Sequence, residues 1–231
     1  PILPPPVYAF KILRHLADFI SYTSEGKTLE LSAGAPVGKE TFALSEHDSK
    51  MELADFGVDI PKEVIAKTVE EAAAFAESAE CPLAMKVESA DILHKSDVGG
   101  VKLNIRGKEA AVKAYEEIMN NVTGARPDAK INGILMVPML KSGVEMIIGV
   151  NNDPQFGPMI MVGMGGVFVE VFKDVALYPA PLCEEEALDM LKSLKSYKLL
   201  NGYRGNAKCD IPTLCRTIAG ISRYASANKD T

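Results

Sequence analysis

The sequence predicts a mixed α/β (α+β) protein, and three observations predict it. Some segments place apolar residues at helical spacing, and others carry them in short continuous runs. The two kinds alternate at first, and then the apolar runs come in adjacent pairs. No internal repeat is present. The composition, 47% hydrophobic and 24% charged over 231 residues, is that of a globular chain of one or two domains.

Charge and cysteine content narrow the function. The net charge of −6 leaves no basic footprint for nucleic acid or an anionic membrane. No apolar run is long enough to span a bilayer and no signal peptide is visible, so a cytoplasmic location is expected. Cys81, Cys183, Cys209 and Cys215 form no CxxC pair, which favours unpaired buried thiols in a reducing compartment. The chain starts at Pro-Ile-Leu-Pro-Pro-Pro rather than Met, and is expected to be a piece of a longer polypeptide.

Residues 1–23 combine a proline-rich entry with an amphipathic run in which Phe10, Leu13, Leu16, Ala17 and Ile20 share a helical face. Residues 24–44 have the composition of a linker, rich in Gly, Ser and Thr. A compact unit then begins. Ser45-x-x-Asp48 predicts a capped helix over 46–56, ended by Gly57. A strand is expected at Glu63–Lys67, and Thr68-x-x-Glu71 caps an alanine-rich helix to about Ala79. The stretch Pro82–Ile105 reads as strand, polar loop and strand, with Lys86 ending the first strand and Val101–Ile105 as the second. Lys108–Val122 is an amphipathic helix, with Ala111, Tyr115, Ile118, Met119 and Val122 on one face. Strands follow at Ile131–Met139, at Val144–Val150 (starting with Glu145), at Met159–Gly163 and at Val167–Phe172. Asn151–Pro158 reads as a turn cluster. Glu184–Leu194 and Ile211–Tyr224 are helical, the second with Pro212 in its first turn.

The chemistry concentrates in Pro82–Ile105. Two strands joined by a polar, glycine-containing loop can hold a polyphosphate, because small residues let backbone N–H groups approach its oxygens. Lys86 can add a point charge. His94, flanked by Lys95, Ser96 and Asp97, is a competent phosphoryl acceptor in its neutral form. Each residue has a plainer reading when taken alone. Lys86 can be a snorkelling surface lysine, His94 an exposed loop histidine, and Gly99-Gly100 a simple turn. Glu145 can be an exposed strand-end carboxylate, and Gly165-Gly166 a hairpin turn with Glu170 beyond it.

The order of these features carries a resemblance. From about Ser45 to Tyr224 the chain resembles the ATP-grasp domain of NDP-forming acyl-CoA synthetases, the ADP-forming acetate–CoA ligase family, related to the β subunit of succinyl-CoA synthetase. The motifs are MKVESADILHKSDVGGVKL, GVEMIIGV, DPQFGPMIMVGMGGVFVEVFKDVA and LLNGYRG. Residues 4–23 resemble the end of the CoA-ligase domain that precedes it in fused members. The resemblance implies three parts: a remnant of that domain at 1–23, a linker at 24–44, and a two-lobed ATP-grasp domain at 45–231. The lobes would meet near Pro138–Gly143 with ATP between them.

The resemblance also implies roles. Lys86 would bind ATP phosphates, and Ser96, Asp97, Gly99 and Gly100 would form the glycine-rich loop. Met136–Met139, including Val137 and Met139, would line the adenine pocket. Glu145 would contact the nucleotide, and Gly165, Gly166 and Glu170 would complete the phosphate end. His94 would carry the phosphoryl group, on a mobile loop spanning Glu88–Val98. Arg204 would anchor structure. ATP or ADP and Mg2+ are the implied cofactors. The partners would be CoA-ligase and CoA-binding domains or an α-type subunit, with CoA and an acyl substrate.

Two departures from the family are visible. Asn152 stands where a basic residue is common. The strand with an Asp-Ile-Asn-Pro-like motif that supplies magnesium ligands is absent before Thr231. The metal ligands are therefore expected outside this chain, and the chain alone is expected to be inactive. Two other readings remain open: a carboxylate–amine ligase of the same fold, against which His94 argues, and a nucleotide-binding module without turnover.

Overall fold

The computed structural model describes residues 43–140, 143–166, 174–203 and 207–228, together with Ala17. Two compact units are present, Pro1–Ala33 and Gly34–Thr231. Apart from Ala17, which is helical, the described residues belong to the second. The expected helix in 1–23, nearly all of the 24–44 linker, the strand at Val167–Phe172, Glu170 and Arg204 lie outside the described residues.

Among its described residues, Gly34–Thr231 contains two antiparallel sheets, each with its own core. The first has strands β1 (Val64–Ala66), β2 (Leu83–Glu88), β3 (Val101–Ile105) and β4 (Gly133–Pro138), in the order β1-β4-β2-β3. Leu83, Met85 and Val87 alternate along β2 and join Ile134 and Met136 of β4 in one apolar cluster. That face is covered by helix α2 (Val69–Ser78) through Ala72 and Ala76, and by helix α3 (Gly107–Ala125) through Ala111, Ala114, Ile118 and Val122. The 3.6-residue stripe read from the sequence is the stripe that packs.

The second sheet has strands β5 (Met146–Asp153), β6 (Gly157–Met164) and β7 (Val175–Pro179), in that order. Ile160, Val162 and Ala176 pack against Ala187, Met190 and Leu191 of helix α4 (Glu184–Ser193). Ile211, Cys215, Ile218 and Ala225 of helix α6 (Ile211–Ala227) complete that core. A short helix α5 (Tyr197–Leu200) lies between α4 and α6 in sequence.

Several boundaries differ from the sequence reading. Lys86 lies inside β2, which continues through Val87 to Glu88. Glu145 precedes β5 rather than starting it, although its carbonyl accepts the Gly165 N–H at 2.7 Å and extends the ladder by one position. The turn expected over Asn151–Pro158 shrinks to Pro154-Gln155-Phe156, because the Asp153 side chain accepts the N–H groups of Gln155 and Phe156 and closes the hairpin locally. β7 and α5 have five and four residues, too short to show a period. The four cysteines are free, but only Cys215 is buried and Cys183 is exposed.

Helix α1 (Glu46–Ala54) begins where its cap predicts: the Ser45 hydroxyl accepts the Asp48 N–H and donates to the Asp48 carboxylate at 2.7 Å. No residue of α1 is buried, so packing of its own apolar face does not hold it. Its ends do. Near its C-terminal end, Tyr224 of α6 donates its hydroxyl to Glu52 at 2.6 Å and sets its ring edge-on to Phe56, centroids 5.5 Å apart. Gly220 is required there, since a Cβ would stand 2.8 Å from the Phe56 carbonyl oxygen. The Glu52 carboxylate and then burial push the Tyr224 hydroxyl up to about 12. A raised folded-state value makes the contact fully stabilising below the ordinary tyrosine range near 10 and removes it as pH rises through about 12. Tyr224→Phe is therefore expected to lower stability by about 1 kcal/mol at neutral pH. It should also flatten the alkaline loss of stability, as followed by urea titration between pH 8 and 11.

Candidate functional site

The site is built on the β2 face opposite α2 and α3. The alternation that buries Leu83, Met85 and Val87 against the helices puts Ala84, Lys86 and Glu88 on the other face. In the β2–β4 ladder Lys86 pairs with Leu135 and Ala84 with Val137, so Val137 shares the Lys86 face. Met139 sits just past β4, where its N–H donates to the Pro82 carbonyl and its sulfur accepts the Asn104 N–H at 3.2 Å.

Over Lys86 stands a group of charges that sequence reading did not assemble. Glu46, at the first turn of α1, receives Lys86 Nζ on Oε1 at 2.8 Å and Lys95 Nζ on Oε2 at 2.7 Å. Lys50, one turn along α1, reaches the same Oε1 at 2.9 Å and Glu63 Oε2 at 2.7 Å. Glu63 also meets His47 Nδ1 at 2.8 Å. Glu88 is fully buried; its Oε1 accepts the His47 backbone N–H at 2.8 Å and its Oε2 lies 3.4 Å from Lys95 Nζ. Burial alone would raise the Glu46 carboxyl, but hydrogen bonds from Lys86, Lys95 and Lys50 outweigh it and hold the group at about 2. Glu46 is thus an anion throughout the neutral range, shared by three ammonium groups.

The loop between β2 and β3 is anchored at its base and open at its crest. Ser89 donates its hydroxyl to the Lys130 carbonyl, and the Asp91 carboxylate accepts the Lys130 N–H at 2.7 Å. Ile92 is buried, while Leu93 and His94 face solvent. Among the described residues the His94 side chain has no hydrogen-bond partner. Its carbonyl accepts the Asp97 N–H, and the exposed Ser96 offers its carbonyl to Gly99. Of the three carboxylates that would repel a phosphorylated His94, Glu88 and Asp91 are each engaged by a donor, while Asp97 is exposed. Gly99 and Gly100 have packing reasons of their own. Gly99 has φ +65° and lies against the Asn121 side chain, and a Cβ on Gly100 would stand 2.7 Å from Val87 Cγ1.

At the second sheet the structure brings Glu145, Gly165 and Gly166 together. A Cβ on Gly165 would lie 3.0 Å from Glu145 Cβ, and Gly166, at φ +62°, sits beside the Glu145 carboxylate. The face of this sheet turned away from α4 and α6 carries Ile147, Val175 and Leu177, all exposed. Among the described residues no group of three or more His, Cys, Asp or Glu side chains is placed to hold a metal ion. Glu46, Glu63 and Glu88 are already occupied by N–H donors and ammonium groups. These residues do not fit a magnesium site. No described helix is long and apolar enough to cross a membrane.

A family model described as an ATP-grasp domain matches residues 37–230. The chain belongs to the ATP-grasp family. This ATP-grasp chain is 44% identical over 188 residues to the acetate–CoA ligase (ADP-forming) II subunit beta of Pyrococcus furiosus, covering 81% of this chain and 80% of that one. It is also 44% identical to the acetate–CoA ligase (ADP-forming) I of Archaeoglobus fulgidus, covering 86% of this chain but 28% of that longer one. Among solved structures it matches the dinucleotide forming acetyl-coenzyme A synthetase 1 of Ca. Korarchaeum cryptofilum. In the complex with coenzyme A and Ca-AMPCP the identity is 43%, the TM-score 0.75 and the coverage 81% and 82%. In the complex with coenzyme A and Mg-AMPPCP, described with its phosphohistidine segment pointing towards the nucleotide binding site, they are 39%, 0.67 and 80% of each chain. The α+β class and the resemblance to NDP-forming acyl-CoA synthetases are borne out.

Proposed function

We propose that this ATP-grasp chain is the nucleotide-binding part of an NDP-forming acyl-CoA synthetase, which interconverts acyl-CoA, ADP and phosphate with acid, CoA and ATP, and that His94 carries the phosphoryl group. One observation carries the reading: a strand lysine, Lys86, and the loop lysine next to His94, Lys95, converge on one anionic group. Two ammonium groups meeting on an anion, one of them carried by the residue next to the exposed His94, supply what phosphoryl transfer asks of a protein, namely positioning and charge neutralisation.

In this reading 45–231 forms the ATP-grasp domain, 24–44 the linker and 1–23 the end of a CoA-ligase domain, in a cytoplasmic enzyme. Lys86 and the loop of Ser96, Gly99 and Gly100 hold phosphate oxygens. Val137 and Met139 line the base pocket, and Glu145, Gly165, Gly166 and Glu170 complete the nucleotide site. Mg2+, when bound, neutralises phosphate charge, with ligands outside this chain. In the ATP-forming direction the P–N bond on the His94 imidazole breaks as a P–O bond forms to a terminal oxygen of ADP, and the imidazole, protonated on its other nitrogen, leaves neutral. That group would come from a second phosphohistidine in CoA-binding domains of the same polypeptide or an α-type subunit. One difficult transfer is thereby divided into easier ones.

The test has two parts. Calorimetric titration with ADP and ATP is expected to give binding that Lys86→Ala weakens by about tenfold or more, as expected for a lost charge-assisted contact. Joined to its CoA-binding part, the protein should form ATP from an acyl-CoA, ADP and phosphate. Equal nucleotide binding by wild type and Lys86→Ala, or binding without ATP formation, would sink the proposal.

A further inference from the structure

Lys86, Lys95 and Lys50 differ in what would hold them if Glu46 moved away. Lys50 would keep Glu63, whose side chain is almost fully buried, at 2.7 Å. Lys95 would keep the buried Glu88 at 3.4 Å. Among the described residues Lys86 has no partner other than Glu46. Helix α1 has anchors besides Glu46, the His47 backbone N–H on Glu88 and the His47 ring on Glu63. The Glu46 side chain can therefore swing without unseating the helix. It is about a quarter exposed and Lys86 about a third, so solvent and solutes reach both.

We infer that Glu46 is an internal stand-in for nucleotide phosphate, a positioning residue whose carboxylate occupies Lys86 until a phosphate displaces it, and whose departure loosens Lys95 and the His94 loop. This inference rests on the proposed nucleotide site. The ligand class is a nucleoside di- or triphosphate, whose terminal oxygens can take the place of a carboxylate among ammonium groups. The three carboxylates Glu46, Glu63 and Glu88 balance the three lysines. A phosphate added beside a seated Glu46 meets a neutralised cation and a like charge. With Glu46 displaced, it meets an unneutralised Lys86. The same displacement costs Lys95 its 2.7 Å partner and leaves the 3.4 Å one, so one carboxylate ties phosphate occupancy to the hold on the residue next to His94. The depressed Glu46 carboxyl, at about 2, agrees with an anion already seated in a cation site.

The experiment compares wild type, Glu46→Gln, Lys86→Gln and the double variant in the full protein, by calorimetry with MgATP and MgADP and by hydrogen exchange. Each variant is first checked for cooperative unfolding, and Glu77→Gln on the exposed side of α2 is the charge control. Glu46→Gln is expected to bind MgATP more tightly, by about fivefold or more. That gain should vanish in the Lys86→Gln background. Amides of 91–98 should exchange faster in Glu46→Gln without nucleotide, and should do so in wild type when MgATP is added. Weaker MgATP binding in Glu46→Gln would make Glu46 a permanent support of Lys86 and overturn the inference. Unchanged binding would overturn it equally. If the variants fold poorly, the wild-type arm still decides: unchanged exchange at 91–98 on adding MgATP overturns the coupling. No nucleotide binding by wild type would remove the functional reading itself, a result distinct from binding that ignores Glu46.

Discussion

Replacing His94 with alanine is expected to reduce ATP formation from acyl-CoA, ADP and phosphate by at least about a thousandfold in the assembled enzyme. If His94 forms the covalent intermediate as proposed, removing it removes the route, not one contact along it. Stability should not follow activity. The His94 side chain is exposed and makes no hydrogen bond among the described residues, so His94→Ala should unfold within about 0.5 kcal/mol of wild type. Nucleotide affinity, measured by calorimetry, should also stay close to wild type, because Lys86, the proposed phosphate ligand, is untouched. A variant that loses nucleotide binding along with turnover would place His94 in the binding site rather than in the relay.

Glu88→Ala is expected to act in the opposite way, on stability first. Glu88 is fully buried on β2, and its two oxygens serve the His47 N–H and the Lys95 ammonium. Truncation leaves a backbone donor and part of a lysine's charge without partners. The expected cost is about 3 kcal/mol, at the low end for breaking a buried pair because Lys95 retains Glu46. The melting temperature should fall by roughly 6–12 °C. Glu88→Gln keeps an acceptor for His47 and should cost less than half as much. Thermal melts followed by circular dichroism check both, and equal melting of wild type and Glu88→Ala would mean that the buried carboxylate does not hold α1.

Much of this molecule was legible because its sequence signals are local. The β2–loop–β3 unit announces itself by two apolar runs around a polar segment closed on Gly99-Gly100. The faces of α3 and α6 are written in their spacing. Ser45 and Thr68 mark helix starts through caps that form as expected. Glu145 and Gly165-Gly166 were singled out separately and do come together. The charge group over Lys86 was not legible, because its contacts join residues 40 and 49 positions apart. Glu46 looked like the first turn of a short capped helix, and nothing near it in sequence says that Lys86 and Lys95 arrive there. Glu88 looked like the first residue of a polar loop. It is the last residue of a strand buried everywhere but at Lys86, and only the docking of α1 reveals why a carboxylate belongs there. The exposed sheet face of Ile147, Val175 and Leu177 was missed for a similar reason: β7 is short, and the pairing that builds the face is non-local.

The relay itself is tested most directly by following the phosphoryl group. The protein, assembled with its CoA-binding part, is incubated with ATP labelled on its γ-phosphate, and the acid-labile, base-stable label is mapped by peptide in wild type and His94→Ala. Label is expected on the peptide carrying His94 and on a histidine of the CoA-binding part in wild type, and on neither in His94→Ala. Label reaching the second histidine at the normal rate in His94→Ala would contradict the relay, and would leave this loop as a nucleotide-binding element alone.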